Sequence, residues 1–233
     1  ALAVGMVMYG STYVIPQFLA IISDYNAFQT GLVIFWMGVP AFLLMPVLPF
    51  MIRRVDIRIA VGAGMLLMAV SCFVSTSLTA ESGGAVFTES QLIRGVGMIL
   101  AMMFLNQATV ASVAKDDAGD ASGIFNAARN LGGSFALAGL ASFQDQRTWH
   151  HSRRMEETLN ANSISLQSYL ESLAQNFGSM GEAMAVLGRT IQREAFIMTY
   201  NDVFFVMGML TLITVPLVVF LKPLPKNVSL SMH

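Results

Sequence analysis

Apolar residues run through most of this chain in stretches of about 20, the length an α-helix needs to cross the hydrocarbon core of a bilayer. Six such stretches are predicted, at residues 2–22, 31–52, 57–78, 91–114, 118–143 and 196–221. The expected fold is all-α and integral to the membrane, a bundle of six transmembrane helices. Pro16 falls within the first helix and Pro40, Pro46 and Pro49 within the second, where they are expected to kink it and free backbone carbonyls.

The pattern changes between residues 144 and 195. Leu166, Leu170, Leu173, Phe177, Met180, Met184, Leu187 and Ile191 recur at alternating spacings of four and three, a heptad stripe. Gly178, Gly181 and Gly188 interrupt it, so two short helices separated at residues 178–181 are expected rather than one rod. Such a stripe either packs over the mouth of its own bundle or docks a helical partner. The expected organisation is helices one to five over residues 1–143, a helical outer loop over 144–195, a sixth helix over 196–221 and a tail over 222–233.

Composition agrees with a membrane protein and closes off other classes. Hydrophobic residues make up 55% of the chain and charged residues only 12%, with a mean hydropathy of +0.63, too apolar for an ordinary soluble domain. A net charge of -1 leaves no basic stripe for nucleic acid. Cys72 is the lone cysteine and the three histidines are His150, His151 and His233, which disfavours an intrachain disulfide and an embedded metal site. The chain starts at Ala1 inside an apolar run with no basic flank, so it does not read as a signal peptide; a piece of a longer polypeptide is expected.

Short loops set the expected orientation. Arg53, Arg54 and Arg58, then Lys115, then Lys222 and Lys226 fall on one side, whereas the loops at 24–29 and 79–89 carry acids and no Lys or Arg. By the positive-inside rule both ends are cytoplasmic and the 144–195 segment faces outside.

Two arginines stand inside predicted spans. A guanidinium keeps its charge, and burial at membrane depth costs at least roughly 2.5–3.5 kcal/mol. Arg94, in Gln91-Leu-Ile-Arg94-Gly95-Val-Gly97, either snorkels outward beside Glu89 or polarises a fourth helix whose Gly95 and Gly97 admit a close neighbour. Asn126, Arg129, Asn130 and Gly133 are spaced three and four apart and share one helix face, with Arg129 expected near mid-membrane. Polar residues there must face protein or water, either as a pathway or as a network holding helices together. Asp202 stands near the outer end of the sixth helix, as a proton carrier or as a cap on a helix N-terminus.

These motifs resemble a family. Residues 91–97 resemble the Arg-Gly-containing fourth-helix motif of major facilitator transporters, and Arg53–Arg58, with Arg54 and Asp56, resembles their charged loop between helices two and three, without its leading glycine. The run Ala-Ser-Gly-Ile-Phe-Asn-Ala-Ala-Arg-Asn-Leu-Gly-Gly-Ser at 121–134, then Arg147-Thr-Trp-His-His151 and Tyr200-Asn-Asp-Val-Phe204, resembles the C-terminal half of fourteen-helix drug:proton antiporters of the EmrB/QacA type, in particular EmrB-like permeases. The resemblance implies a six-helix half whose first, second, fourth and fifth helices line a central cavity. It makes Tyr9, Tyr13, Gln17, Trp36, Asn106, Gln107, Asn126, Arg129 and Asn130 cavity candidates, walled by residues such as Met102, Met103, Phe104 and Phe125. Arg94, Gly95, Gly97, Asp202, Arg54 and Asp56 become structural or coupling residues. It further implies export of hydrophobic compounds across a bacterial inner membrane, energised by a proton gradient with no bound cofactor. The partners implied are the bilayer, small-molecule substrates, an N-terminal half that carries the missing motifs, a periplasmic adaptor and an outer-membrane channel. Uptake of a small metabolite and a non-transporting membrane interaction module stay open as alternatives. An embedded enzyme is disfavoured, because no nucleophile–base or metal-ligand set shares a depth.

Overall fold

Each predicted span is helical in the computed structural model, which describes residues 1–159 and 164–221 and contains no strand among them. The helices are α1 (Leu2–Ile22), α2 (Ala27–Leu44), α3 (Leu48–Arg54), α4 (Ile57–Val74), α5 (Gly84–Ala111), α6 (Ala118–Thr158), α7 (Ile164–Phe177) and α8 (Met180–Thr214), with 3₁₀ turns at Lys115–Asp117 and Val215–Phe220. Lys222, Lys226 and the predicted tail lie outside the described residues.

Local chemistry sets the starts. Asn26 and Gln29 form a reciprocal capping box at α2, with both hydrogen bonds at 3.0 Å. Asp56 caps α4 by accepting from the Arg58 backbone at 2.8 Å, and Ser179 caps α8 by accepting from the Glu182 backbone at 3.2 Å.

Several boundaries differ from the sequence reading: α2 starts at Ala27 rather than 31 and α5 at Gly84 rather than 91, and three further differences are larger in consequence. The second span is two helices, because Pro46 has no N–H and its ring excludes the carbonyl four residues earlier; α2 stops at Leu44, and α3 restarts with a proline in its first turn. The fifth helix does not end near residue 143 but continues to Thr158, and the sixth begins at Met180 rather than 196. Polarity ends a membrane span but not a helix, and no Gly or Pro occurs from residue 140 to 158 to stop this one. The region 144–195 is therefore mostly the projecting ends of α6 and α8, joined through α7, and not a separate loop domain. The predicted interruption of the heptad stripe is present as a turn with Gly178 at φ 92°, a conformation that favours glycine.

By length and composition α1, α2, α4, α5 and the α8 segment can each cross a membrane. Although long enough, α6 falls outside that group, because Asn126, Arg129 and Asn130 and its many Gly and Ser residues lower its hydropathy.

Small residues govern the packing. On α4 and α5, a Cβ added to Gly97 would lie 2.6 Å from the Gly64 carbonyl oxygen, and Gly95 abuts the Met37 carbonyl of α2. On α1 and α6, Gly5 meets the Arg129 carbonyl and Gly132 meets the Leu2 carbonyl. α8 closes the bundle against α4, α6 and α1. Its Tyr200 and Phe204 join Phe18 and Phe87 in a chain of buried rings with centroids 5.2–6.4 Å apart. At the end bearing the extensions, here the long-loop end, Arg193 donates to the carbonyls of Ile22 (2.9 Å) and Ala80 (3.2 Å). At the opposite, short-loop end, Arg58 Nε donates to the Leu221 carbonyl at 2.7 Å, so the basic turn and the end of the last described helix share one side.

Candidate functional site

The face of α6 that carries Asn126, Arg129, Asn130 and Gly133 lies along α1. Tyr9 on α1 donates from its hydroxyl to Asn130 Oδ1 at 2.8 Å, and its ring occupies the space beside Gly133 that a side chain there would need. Asn126 Nδ2 donates to the Ser122 carbonyl at 3.0 Å. Arg129 is half-buried, and its Nε is enclosed with no hydrogen-bond partner; Asn106 Oδ1 on α5 is enclosed in the same way. An enclosed donor or acceptor of this kind costs free energy until something pairs with it. In depth, the Arg129 carbonyl sits against Gly5, about 26 Å of helix rise below Ile22 at the long-loop end. Arg129 thus belongs to the short-loop half of the bundle rather than its middle.

Arg94 points neither outward nor to Glu89, which is exposed. It is fully buried among α4, α5 and α8: Nε donates to Ser71 Oγ at 3.2 Å, Nη1 donates to Gln91 Oε1 at 3.0 Å, and Cζ lies 6.0 Å from the centre of the Phe204 ring. Its Nη2 has no partner. All of these partners are neutral, so Arg94 joins three helices from within the core.

A second polar centre stands at the long-loop end, where the sequence offered Asp202 and Gln17 as site candidates and Arg147–His151 only as part of the family resemblance. The Asp202 carboxylate accepts from Arg147 Nε and Nη2 and contacts His151 Nε2, each at 2.7 Å and all on Oδ2. Asp202 lies well inside α8, which corrects its reading as an N-terminal cap. Close by, Gln144 Nε2 donates to Gln17 Oε1 at 3.1 Å and Thr148 pairs with Thr199 at 3.1 Å. Gln17, Gln144, Thr148 and Thr199, with Trp149, Gln192, Phe196 and Tyr200, border a cleft of about 320 Å³. The signal for this centre was present: Gln144, Arg147, Thr148 and His151 repeat at helical spacing. It was missed because the helix was expected to stop before them.

The remaining predicted residues do not converge. Tyr13 is exposed, and so is Trp36, which borders a separate cleft of about 330 Å³ between α2 and α5 with Tyr25, Gln29 and Thr88. Gln107, Met102 and Met103 are half-buried, whereas Phe104 and Phe125 are buried as core packing and do not line an open wall. Arg54 stacks over the Phe50 ring at 4.3 Å, and Asp56 serves as the α4 cap. A third cleft of about 320 Å³ is almost wholly apolar and lies between α1, α6 and α8, bordered by Met6, Phe135, Leu140, Phe143, Met207 and Leu210.

Residues 1–137 match the family model described as Major Facilitator Superfamily. The chain is 26% identical over 223 residues to the colistin resistance protein EmrB of Acinetobacter baumannii, covering 94% of this chain and 44% of that protein. It is 25% identical over 223 residues to the multidrug export protein EmrB of Escherichia coli (94% and 43%) and 23% identical over 218 residues to the fatty acid resistance protein FarB of Neisseria gonorrhoeae (94% and 43%). The chain thus spans less than half the length of these curated relatives.

Proposed function

Because the chain belongs to the major facilitator superfamily, we propose that it is the C-terminal half of a proton-coupled exporter of hydrophobic compounds in a bacterial inner membrane. The observation that carries this reading is the extent of similarity to export and resistance proteins, which covers 94% of the chain and so takes in the bundle together with the α6 and α8 extensions. The fold supports it. α2 leaves Phe28, Leu32, Phe35, Phe42 and Leu43 exposed, surface that a second half-bundle and lipid together would cover. α1, α2, α5 and α6 form the cavity wall, α4 and α8 the periphery, and rocking of one half against the other exposes the wall to alternate sides. Arg129 and Asn106, each with an enclosed unpaired atom, supply polar anchors in that wall. The proton gradient is the energy source, and no cofactor takes part.

Both chain ends face the cytoplasm, which puts the long-loop end in the periplasm. There α7 and the α6 and α8 extensions present Trp149, Tyr169, Met180 and Met184 to solvent, a surface suited to a helical adaptor that passes substrate to an outer-membrane channel. The test uses the full-length polypeptide in inverted membrane vesicles. Respiration should drive accumulation of a lipophilic dye inside them, and a protonophore should abolish it. Accumulation by intact cells instead would overturn the export direction.

A further inference from the structure

We propose that Asp202, with His151 and Arg147, is a proton-binding site loaded from the long-loop side; this rests on the reading of the protein as a proton-coupled exporter. Three donor atoms of α6 converge on one oxygen of an α8 carboxylate, with Arg147 and Asp202 forming an ion pair at 2.7 Å. An ionised carboxylate only accepts, so His151 donates from Nε2 and keeps the lone pair of Nδ1 for an incoming proton. Imidazole is the side chain suited to exchanging protons near neutral pH. A proton taken from water onto His151 Nδ1, or onto the Asp202 carboxyl, changes the net charge of the triad from zero to +1. On the carboxyl it removes the charge that holds Arg147, and the proton returns to water when the site opens to the other side.

The surroundings suit that role. Asp202 lies at the long-loop end of the bundle, where its neighbour Asn201 pairs with both backbone groups of Leu78 in the turn between α4 and α5. His151 is nearly buried while Asp202 is partly open, so water reaches the pair without swamping it. Charged neighbours on α6 are Asp145, His150, Arg153 and Arg154, with the His150 ring 5.7 Å from that of His151. The other charged side chains of the described α8 nearest to Asp202 in sequence are Arg193, which is engaged with backbone carbonyls, and Glu194; α7 carries Glu171. α1 brings no charged side chain, and α4 none beyond Arg58 at its far end.

One further contact links this site to an apolar cleft. The Arg147 guanidinium lies 5.9 Å from the Phe143 ring centre, and Phe143 borders the apolar cleft between α1, α6 and α8. A lipophilic molecule entering that cleft pushes on Phe143 and hence on Arg147, so occupancy and proton binding alter one another reciprocally, as antiport requires.

The experiment uses the purified full-length protein and tetraphenylphosphonium as the probe. Adding the probe in weak buffer should release protons to a pH dye, and in proteoliposomes a pH gradient should drive its accumulation. Asp202→Asn should lose both signals while gradient-independent exchange of the probe continues; Asp202→Glu should restore proton release, and His151→Gln should change its pH dependence. If Asp202→Asn does not assemble, His151→Gln decides alone. A pumping wild type with both variants behaving like it would overturn the site and leave a structural clasp. A wild type that shows neither release nor accumulation sinks the exporter reading itself, a distinguishable result.

Discussion

At the scale of single residues, the two membrane-embedded arginines have different work. Arg94 is surrounded by neutral partners from α4 and α5 and by the Phe204 ring, so its charge is dispersed over a polar and aromatic shell inside the half-bundle. Arg129 is half-buried, holds an unpaired Nε and sits beside Asn126 and Asn130 on a face left partly open. Its enclosed, unpaired Nε is costly to keep unless a ligand or partner engages it. Arg129→Ala in the full-length protein should therefore abolish drug efflux while the protein still reaches the membrane. Arg129→Lys should rescue poorly, because an ammonium lacks the planar fork of donors. Efflux at the wild-type rate by the alanine variant, measured against its membrane level, would reduce Arg129 to scaffolding. Arg129 and Asn130 were legible as a polar stripe from spacing alone; that Tyr9 would pair with Asn130 was not, since the two lie on different helices.

At the scale of elements, the α1–α6 contact is set by missing side chains. Gly132 faces the Leu2 carbonyl with no room for a methyl group, while Gly123 on the same helix faces open space. Gly132→Ala should lower stability by about 1–3 kcal/mol through overpacking, and Gly123→Ala should be neutral or slightly stabilising through helix propensity. Thermal unfolding in detergent separates the two, and equal midpoints would show that the seam adapts freely. The extensions carry a second element-scale prediction. Leu170 and Leu173 are half-buried on α7, which packs on α8. Replacing both with Ser should weaken capture of a periplasmic adaptor and lower resistance in cells, yet leave dye uptake into inverted vesicles near wild type. Loss of vesicle uptake as well would make the stripe a packing face only.

For the whole molecule, the chain gathers Arg54, Arg58 and Leu221 at one end and the α6, α7 and α8 extensions at the other. Single cysteines at Arg54 and Ser168, in a Cys72→Ser background, should label from opposite faces of intact cells; Cys72 is itself buried. Both labelling from outside would contradict the six-helix path.

The sequence by itself determined that the chain is helical and apolar enough for a multi-pass membrane protein, and that Asn126, Arg129 and Asn130 share one face of α6. Those properties follow from hydrophobic run length and from a 3.6-residue period, both local quantities. Only the tertiary structure decided that α6 runs on to Thr158 and α8 starts at Met180 with the two packed together, that Arg94 turns inward to Ser71 and Gln91, and that Asp202 meets Arg147 and His151. Each depends on which helix stands beside which, and Asp202 is 55 residues from Arg147 along the chain. A run of apolar residues carries no record of its neighbour; the glycines do so in part, by where they let backbones touch.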